Sequence, residues 1–259
     1  MHIDHFTCLG LFLMWTIVYF APHPISKYLG KHPSEKPAVS LQKKYILKTI
    51  PPLFITGLCL LAAYKYRIPV FGTYHMGFNL FMMAVGLLVV DLCLQPLEWK
   101  LTPVGIKKKS LVFFPRTPKE RSFWIPISLI VAITEEIIYR AVFFSLLFEL
   151  SGNPWIAGII SAFLFALTHL KQGLPAACTT FLIALAFQYS VVISGGLYIA
   201  IAIHFIHNLI IGIVIGVALN RKSEKEIVES LLHVLNKDLW RDKSGTRQDP
   251  SSSTIQPVK

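Results

Sequence analysis

Charge is scarce in this sequence, and acid is scarcer than base: 15% of the 259 residues are charged, with 14 Asp or Glu against 25 Lys or Arg. A soluble domain carries about 25% charged residues, so most of the chain is not read as a soluble globular domain. Cysteine is sparse too. Cys8, Cys59, Cys93 and Cys178 include no CxxC pair and all lie in apolar stretches. They supply no disulfide framework and read as small buried hydrophobes. There is no HExxH zinc-protease motif and no internal repeat. Residues 1–5 contain no Lys or Arg. The first apolar stretch therefore lacks the positive n-region of a signal peptide and is expected to be a retained helix.

What the sequence has instead is apolar residues gathered in blocks. A bilayer core of about 30 Å takes roughly 20 mostly apolar residues per helix. Candidate spans run from Phe6 to Ala21, Ile46 to Tyr64, Met76 to Cys93, Ser122 to Leu150, Pro154 to Leu170, Leu174 to Ser194 and Gly195 to Leu219. The fourth is unusually long, and the last two are separated by a tight turn near Ser194-Gly195-Gly196. The fold expected is an all-α polytopic transmembrane bundle of about seven to eight spans. Residues 220–259 are polar, with one short amphipathic piece from Glu224 to Leu235, and read as a partly disordered cytoplasmic tail.

Base is distributed unevenly. Lys27, Lys31, Lys36, Lys43 and Lys44 fall in one inter-span loop, Lys100, Lys107, Lys108, Lys109, Arg116, Lys119 and Arg121 in another, and eight more basic residues in the tail, whereas the alternate loops hold only Lys65 and Arg67. Cytoplasmic loops collect Lys and Arg. The expected orientation is N-terminus outside and C-terminus cytoplasmic. The formal charge of +11 is then explained by topology and by anionic headgroups rather than by nucleic acid.

Ionisable residues at bilayer depth are costly, which makes them candidates for function. The fourth span contains Glu135, Glu136 and Arg140. Glu136 and Arg140 stand i, i+4 and can pair on one helix face. That leaves Glu135 as the unpaired carboxylate, a candidate general base. In the fifth span, Ala162, Ala166 and His169 share a face, small enough for a neighbouring helix to come close. In the seventh, His204 and Asn208 share a face with Gly212 and Gly216, while His207 falls on a different one. Each group alone reads as readily as helix–helix glue. Together, polar atoms from three spans must meet to satisfy one another in lipid. A carboxylate, two imidazoles and an amide form a workable set for hydrolysis, the amide serving as an oxyanion donor.

The order Glu-Glu-x-x-x-Arg (Glu135, Glu136, Arg140), Phe-x-x-x-His (Phe165, His169) and His-x-x-x-Asn (His204, Asn208) resembles the CPBP family. These are the CAAX-prenyl proteases, bacteriocin-processing and Abi-type intramembrane endopeptidases. The resemblance covers roughly residues 122–219. It implies a helical bundle with a membrane-embedded active site. In it, Glu135 activates a water, His169 assists, His204 and Asn208 stabilise the oxyanion, and Glu136 and Arg140 orient the site. A zinc ion is a candidate cofactor only if Glu135, His169 and His204 converge.

The resemblance divides the chain into N-terminal helices with basic loops (1–121), a catalytic core (122–219) and the tail (220–259). Eukaryotic prenyl-protein proteases of the family have a further His soon after the first motif His. Here His169 is followed by Leu170-Lys171-Gln172-Gly173. This points to a prokaryotic-type member of a bacterial cytoplasmic membrane, acting on membrane-associated proteins or peptides, with peptide maturation or clipping of a C-terminal sorting signal as candidate tasks. His169 falls near one end of its span and Glu135 and His204 nearer the middle, so the cavity is expected to be a funnel or the fifth helix tilted. The rivals are a proton-coupled transporter and a non-catalytic scaffold or immunity protein.

Overall fold

The computed structural model describes residues 4–20, 41–73, 77–111 and 113–221. The expected amphipathic piece from Glu224 to Leu235 and the tail beyond it lie outside the described residues. Among those described, the chain is helical, with no strand and one isolated bridge between Gly72 and Gly196. The helices are α1 (His5–Phe20), α2 (Leu41–Tyr66), α3 (Phe78–Leu101), α4 (Val104–Leu111), α5 (Pro118–Glu136), α6 (Phe144–Ser151), α7 (Pro154–Thr168), α8 (Leu174–Ser194) and α9 (Tyr198–Arg221). A π-helical segment, Ile137–Phe143, joins α5 to α6, and a 3₁₀ turn, Leu170–Gln172, joins α7 to α8.

Among the described residues, four helices are long and apolar enough to cross a membrane: α2, α3, α8 and α9 as far as Ala218. The fold is a helical membrane bundle and the protein is an integral membrane protein. The other expected spans take different forms. α1 and α7 are apolar but have 16 and 15 residues, about 24 and 22 Å at roughly 1.5 Å per residue. The long fourth stretch is helical from Pro118 to Ser151 but changes to a π-helix immediately after Glu136.

Local chemistry sets the helix ends. A capping box opens α5: the Glu120 N–H donates to Thr117 Oγ1 (3.2 Å) and the Thr117 N–H donates to Glu120 Oε2 (3.0 Å), with Pro118 in the first turn. Asn153 Oδ1 accepts from the amides of Trp155 and Ile156 to start α7. At the far end of α2, Lys65 Nζ stands 2.8 Å from Asp4 Oδ2, and the Tyr66 hydroxyl donates to the same oxygen. The Lys65 ammonium first, then the Tyr66 hydroxyl and the Thr7 amide, hold the Asp4 carboxyl below the usual carboxylate range.

Many large apolar side chains face outward, as a lipid solvent demands. α3 is the extreme case: Phe78, Phe81, Met82, Val85, Val89, Val90 and Leu97 are exposed, and Asp91 is its one buried residue. Cys8 and Cys59 are buried as expected, but Cys93 and Cys178 are on the exposed surface. The core gathers around the π-helical segment, where Ile138, Val142 and Phe143 are 0% exposed. Trp15 Nε1 donates to the Tyr139 hydroxyl (2.7 Å), and Ser161 Oγ donates to the Tyr139 carbonyl (2.6 Å). These bonds pin α1 and α7 to the segment that carries the charges.

The tight turn between α8 and α9 is built on close backbone approach. Gly195 ends α8 in the left-handed region (φ 73°), the Thr73 N–H donates to its carbonyl (2.9 Å) and the Leu197 N–H donates to Phe71 O (3.2 Å). A Cβ on Gly196 would lie within 2.6 Å of the Phe71 and Thr73 carbonyl oxygens, whereas one on Gly57 would meet nothing within 4 Å. Gly196→Ala is therefore expected to destabilise the protein by roughly 1–3 kcal/mol, as overpacking does. Gly57→Ala, in mid-helix, is expected to be neutral or mildly stabilising. Thermal unfolding of the two variants in detergent checks the contrast.

Candidate active site

The transition from α5 to the π-helical segment sets the central charges. A π turn takes in an extra residue and re-aims the side chains on either side of it, and such turns recur at functional sites. Glu136 is 0% and Arg140 3% exposed. Glu136 Oε2 lies 3.2 Å from Arg140 Nε, the i, i+4 pair that the spacing suggests. Arg140 is flanked by rings, with its guanidinium carbon 4.4 Å from the centroid of Phe165 and 5.7 Å from that of Phe187. Its Nη1 and Nη2 have no hydrogen-bond partner among the described residues. The guanidinium is thus held at one end by Glu136 and on its face by aromatic quadrupoles.

α9 brings His204 to both carboxylates. Its Nδ1 lies 2.8 Å from Glu136 Oε1 and its Nε2 lies 3.5 Å from Glu135 Oε2. Glu135 is therefore not unpaired, as spacing alone suggested. One imidazole stands between the two carboxylates, hydrogen-bonded to Glu136 and 3.5 Å from Glu135, and Glu135 is the less enclosed of them, with its side chain 14% exposed against 0% for Glu136.

His169 caps the C-terminus of α7, where the helix is already ending. Thr168 Oγ1 donates its single proton to Phe165 O (2.7 Å), and His169 Nδ1 lies 3.1 Å from that hydroxyl and 3.3 Å from the same carbonyl. With the hydroxyl proton already committed, Nδ1 must be the donor, and Nε2 keeps its lone pair. Asn208 is fixed through its main chain, since Trp124 Nε1 donates to its carbonyl (3.0 Å). The glycines below it serve the same contact: a Cβ on Gly212 would overlap the Trp124 indole, and one on Gly216 would overlap the Pro115 carbonyl. The Gly stripe on α9 therefore receives a side chain and a loop carbonyl.

A cavity of about 330 Å³ is lined by Arg140, His169, His204 and Asn208 together. The structure thus brings Arg140, His169, His204 and Asn208, from three separate spans, to one space, with His169 reaching it from the end of its short helix; Glu135 and Glu136 are not on its wall and adjoin it through His204. The cavity walls include residues that the spacing argument passed over: Asp91, Gln95 and Glu98 of α3, His207 of α9 and Thr179 of α8. His207 Nδ1 stands 2.6 Å from Asp91 Oδ2, and Thr179 Oγ1 donates to Glu98 Oε2 (2.5 Å). An Asp inside an apolar stretch was itself a signal for Asp91.

The donor chemistry around His204 is of the kind zinc sites use, an imidazole with one nitrogen held by a carboxylate. The three candidate ligands, however, do not converge: among the described residues no group of three His, Cys, Asp or Glu side chains is placed to hold a metal ion.

The family model for type II CAAX prenyl endopeptidase Rce1-like proteins matches residues 117–210. The matched segment contains Glu135, Glu136, Arg140, Phe165, His169, His204 and Asn208, and it is consistent with the CPBP family that the motifs resemble. It stops short of α1 to α4, and so leaves Asp91 out. No curated protein and no solved structure matches the chain. At the level of the family, the match supports an intramembrane protease of the CAAX type.

Proposed function

We propose that this chain is a CAAX-type intramembrane protease that hydrolyses peptide bonds of membrane-associated proteins or peptides with a water activated by Glu135. The observation that carries the reading is the placement of His204 between Glu135 and Glu136, on the wall of a cavity that also holds His169 and Asn208. Glu135 takes a proton from the attacking water and returns it to the nitrogen of the breaking C–N bond, so that the amine leaves neutral, with His204 Nε2 beside the carboxylate at 3.5 Å. His169 Nε2, free to accept, orients the water. The Asn208 amide donates to the oxyanion. Both ring nitrogens of His204 face carboxylates, so oxyanion stabilisation falls to Asn208 rather than to the pair the resemblance implies. Glu136 and Arg140 hold His204 in place.

The residues after His169 favour a substrate without a prenyl group, such as a peptide precursor or a C-terminal sorting signal. The basic loops favour an N-terminus outside and a C-terminus in the cytoplasm.

The test compares protein C-termini and membrane-associated peptides in host cells carrying wild type or Glu135→Gln. Termini that appear only with Glu135 intact identify both the activity and its substrate. If the two profiles are identical while loss of the whole protein has a phenotype, the chain is a transporter or a non-catalytic partner instead. With the substrate in hand, Asn208→Ala is expected to lower kcat by about 10²–10³-fold, as loss of one oxyanion donor does. A change confined to KM would make Asn208 a binding residue.

A further inference from the structure

α3 packs its first half by apolar contact and meets the bundle through polar side chains beyond it. Leu80, Ala84, Leu87 and Leu88 meet a small cluster of Phe187, Ile199, Ala200 and Ile203 from α8 and α9. Beyond Leu88 the helix borders the cavity, and Asp91, Gln95 and Glu98 form a polar face along it at i, i+4 and i+7. Asp91 sits where apolar packing gives way to cavity, 6% exposed and the one buried residue of this helix. Its partner is His207, with Nδ1 2.6 Å from Oδ2 and side chains 18% and 8% exposed for His207 and Asp91. A helix clamp alone would need no ionisable pair at this point, because the apolar cluster already joins α3 to the bundle, and a carboxylate at membrane depth is costly. Asp91 stands in ion-pair contact with the Nδ1 edge of His207, so the opposite, Nε2, edge is the one left to meet a ligand in the cavity that the ring lines, in the way a carboxylate orients an imidazole in other sites.

We propose that Asp91 and His207 form a second functional pair of this cavity, in which Asp91 positions the His207 ring so that Nε2 hydrogen-bonds the main chain of the bound peptide beside the scissile bond. The inference rests on the protease reading. His207 follows His204 by nearly one turn of α9, about 5 Å along the axis. An extended peptide rises about 3.3 Å per residue. A peptide whose carbonyl is attacked near Glu135 and His204 therefore presents to His207 a main-chain group one to two residues away. The pair binds substrate from a helix outside the matched segment, and α3 belongs to the site as well as to the scaffold.

The test uses the full-length protein and the substrate peptide released by the Glu135-dependent comparison. Kinetics are measured for Asp91→Asn, Asp91→Glu, His207→Gln and the double variant Asp91→Asn/His207→Gln, with detergent melting temperatures alongside. His207→Gln and Asp91→Asn are each expected to lower kcat/KM about tenfold, the loss of one hydrogen bond to substrate, chiefly through KM. The double variant is expected to be no worse than His207→Gln alone, because Asp91 acts through His207, and Asp91→Glu is expected to recover part of the loss. Kinetics of His207→Gln within twofold of wild type would overturn the proposal. So would additive losses in the double variant, or a lowered melting temperature with KM unchanged, which marks a helix clamp. A wild type with no Glu135-dependent cleavage removes the protease reading and this inference together, and that comparison comes first.

Discussion

Glu135→Gln is expected to remove peptide hydrolysis while leaving the protein folded and inserted. The substitution keeps the size of the side chain and takes away only its capacity to accept a proton. A positioned general base contributes about 10²–10⁴-fold, so residual turnover should fall to the level of water attacking a bound peptide. The fold should tolerate the change. Glu135 is not the carboxylate that balances Arg140, its side chain is partly exposed, and its separation from His204 Nε2 is 3.5 Å, longer than the 2.8 Å contact that Glu136 makes to the same ring. A Gln at 135 can still face His204 through its amide. Single-turnover kinetics in detergent, with the melting temperature as control, separate the outcomes. Full activity in the variant removes Glu135 as the base and passes that role to another acceptor on the cavity wall, His169 Nε2 first among them. Lost activity with a lowered melting temperature would make Glu135 structural.

Much of this site was legible in the sequence because lipid makes polar residues conspicuous. Glu135, Glu136, Arg140, His169, His204 and Asn208 stood out against apolar neighbours, and the i, i+4 spacing of Glu136 and Arg140 was enough to pair them. Asp91 was harder to read. The apolar block ends at Cys93, and Lys100 falls in the basic stretch that reads as the following loop. The helix in fact continues to Leu101 with Pro96 inside it. Proline is tolerated in membrane helices, where neighbouring groups satisfy the freed backbone, so Asp91 lies in mid-helix rather than at a span end. His207 was set aside because it falls about 60° around the helix from His204. A cavity enclosed by several helices is wider than one helix face, and α3 approaches α9 on that other side. The π-helical segment could not be read at all. It depends on tertiary contacts such as Trp15 and Ser161 on Tyr139 rather than on local propensity.

The buried pair beside the candidate base makes a prediction about stability rather than chemistry. Removing one partner of a buried ion pair costs about 3–5 kcal/mol, because the other is left as an uncompensated charge. The two partners here are not equivalent. Glu136→Gln leaves the Arg140 guanidinium 3% exposed between the Phe165 and Phe187 rings without its ion-pair partner, its Nη1 and Nη2 having no hydrogen-bond partner among the described residues to begin with. The full cost is expected there. Arg140→Met leaves Glu136 with His204 Nδ1 still 2.8 Å away, and the loss should be smaller. The double variant Glu136→Gln/Arg140→Met removes both charges at similar volume, and should be more stable than Glu136→Gln alone. Reversible unfolding in mixed micelles measures the cycle. Activity should divide the same way: Arg140→Met keeps the carboxylate that anchors His204 and should retain more turnover than Glu136→Gln, which lacks it. If Glu136→Gln proved no more costly than Arg140→Met, the carboxylate would not be the counter-charge of the guanidinium, and its place in the site would reduce to holding His204.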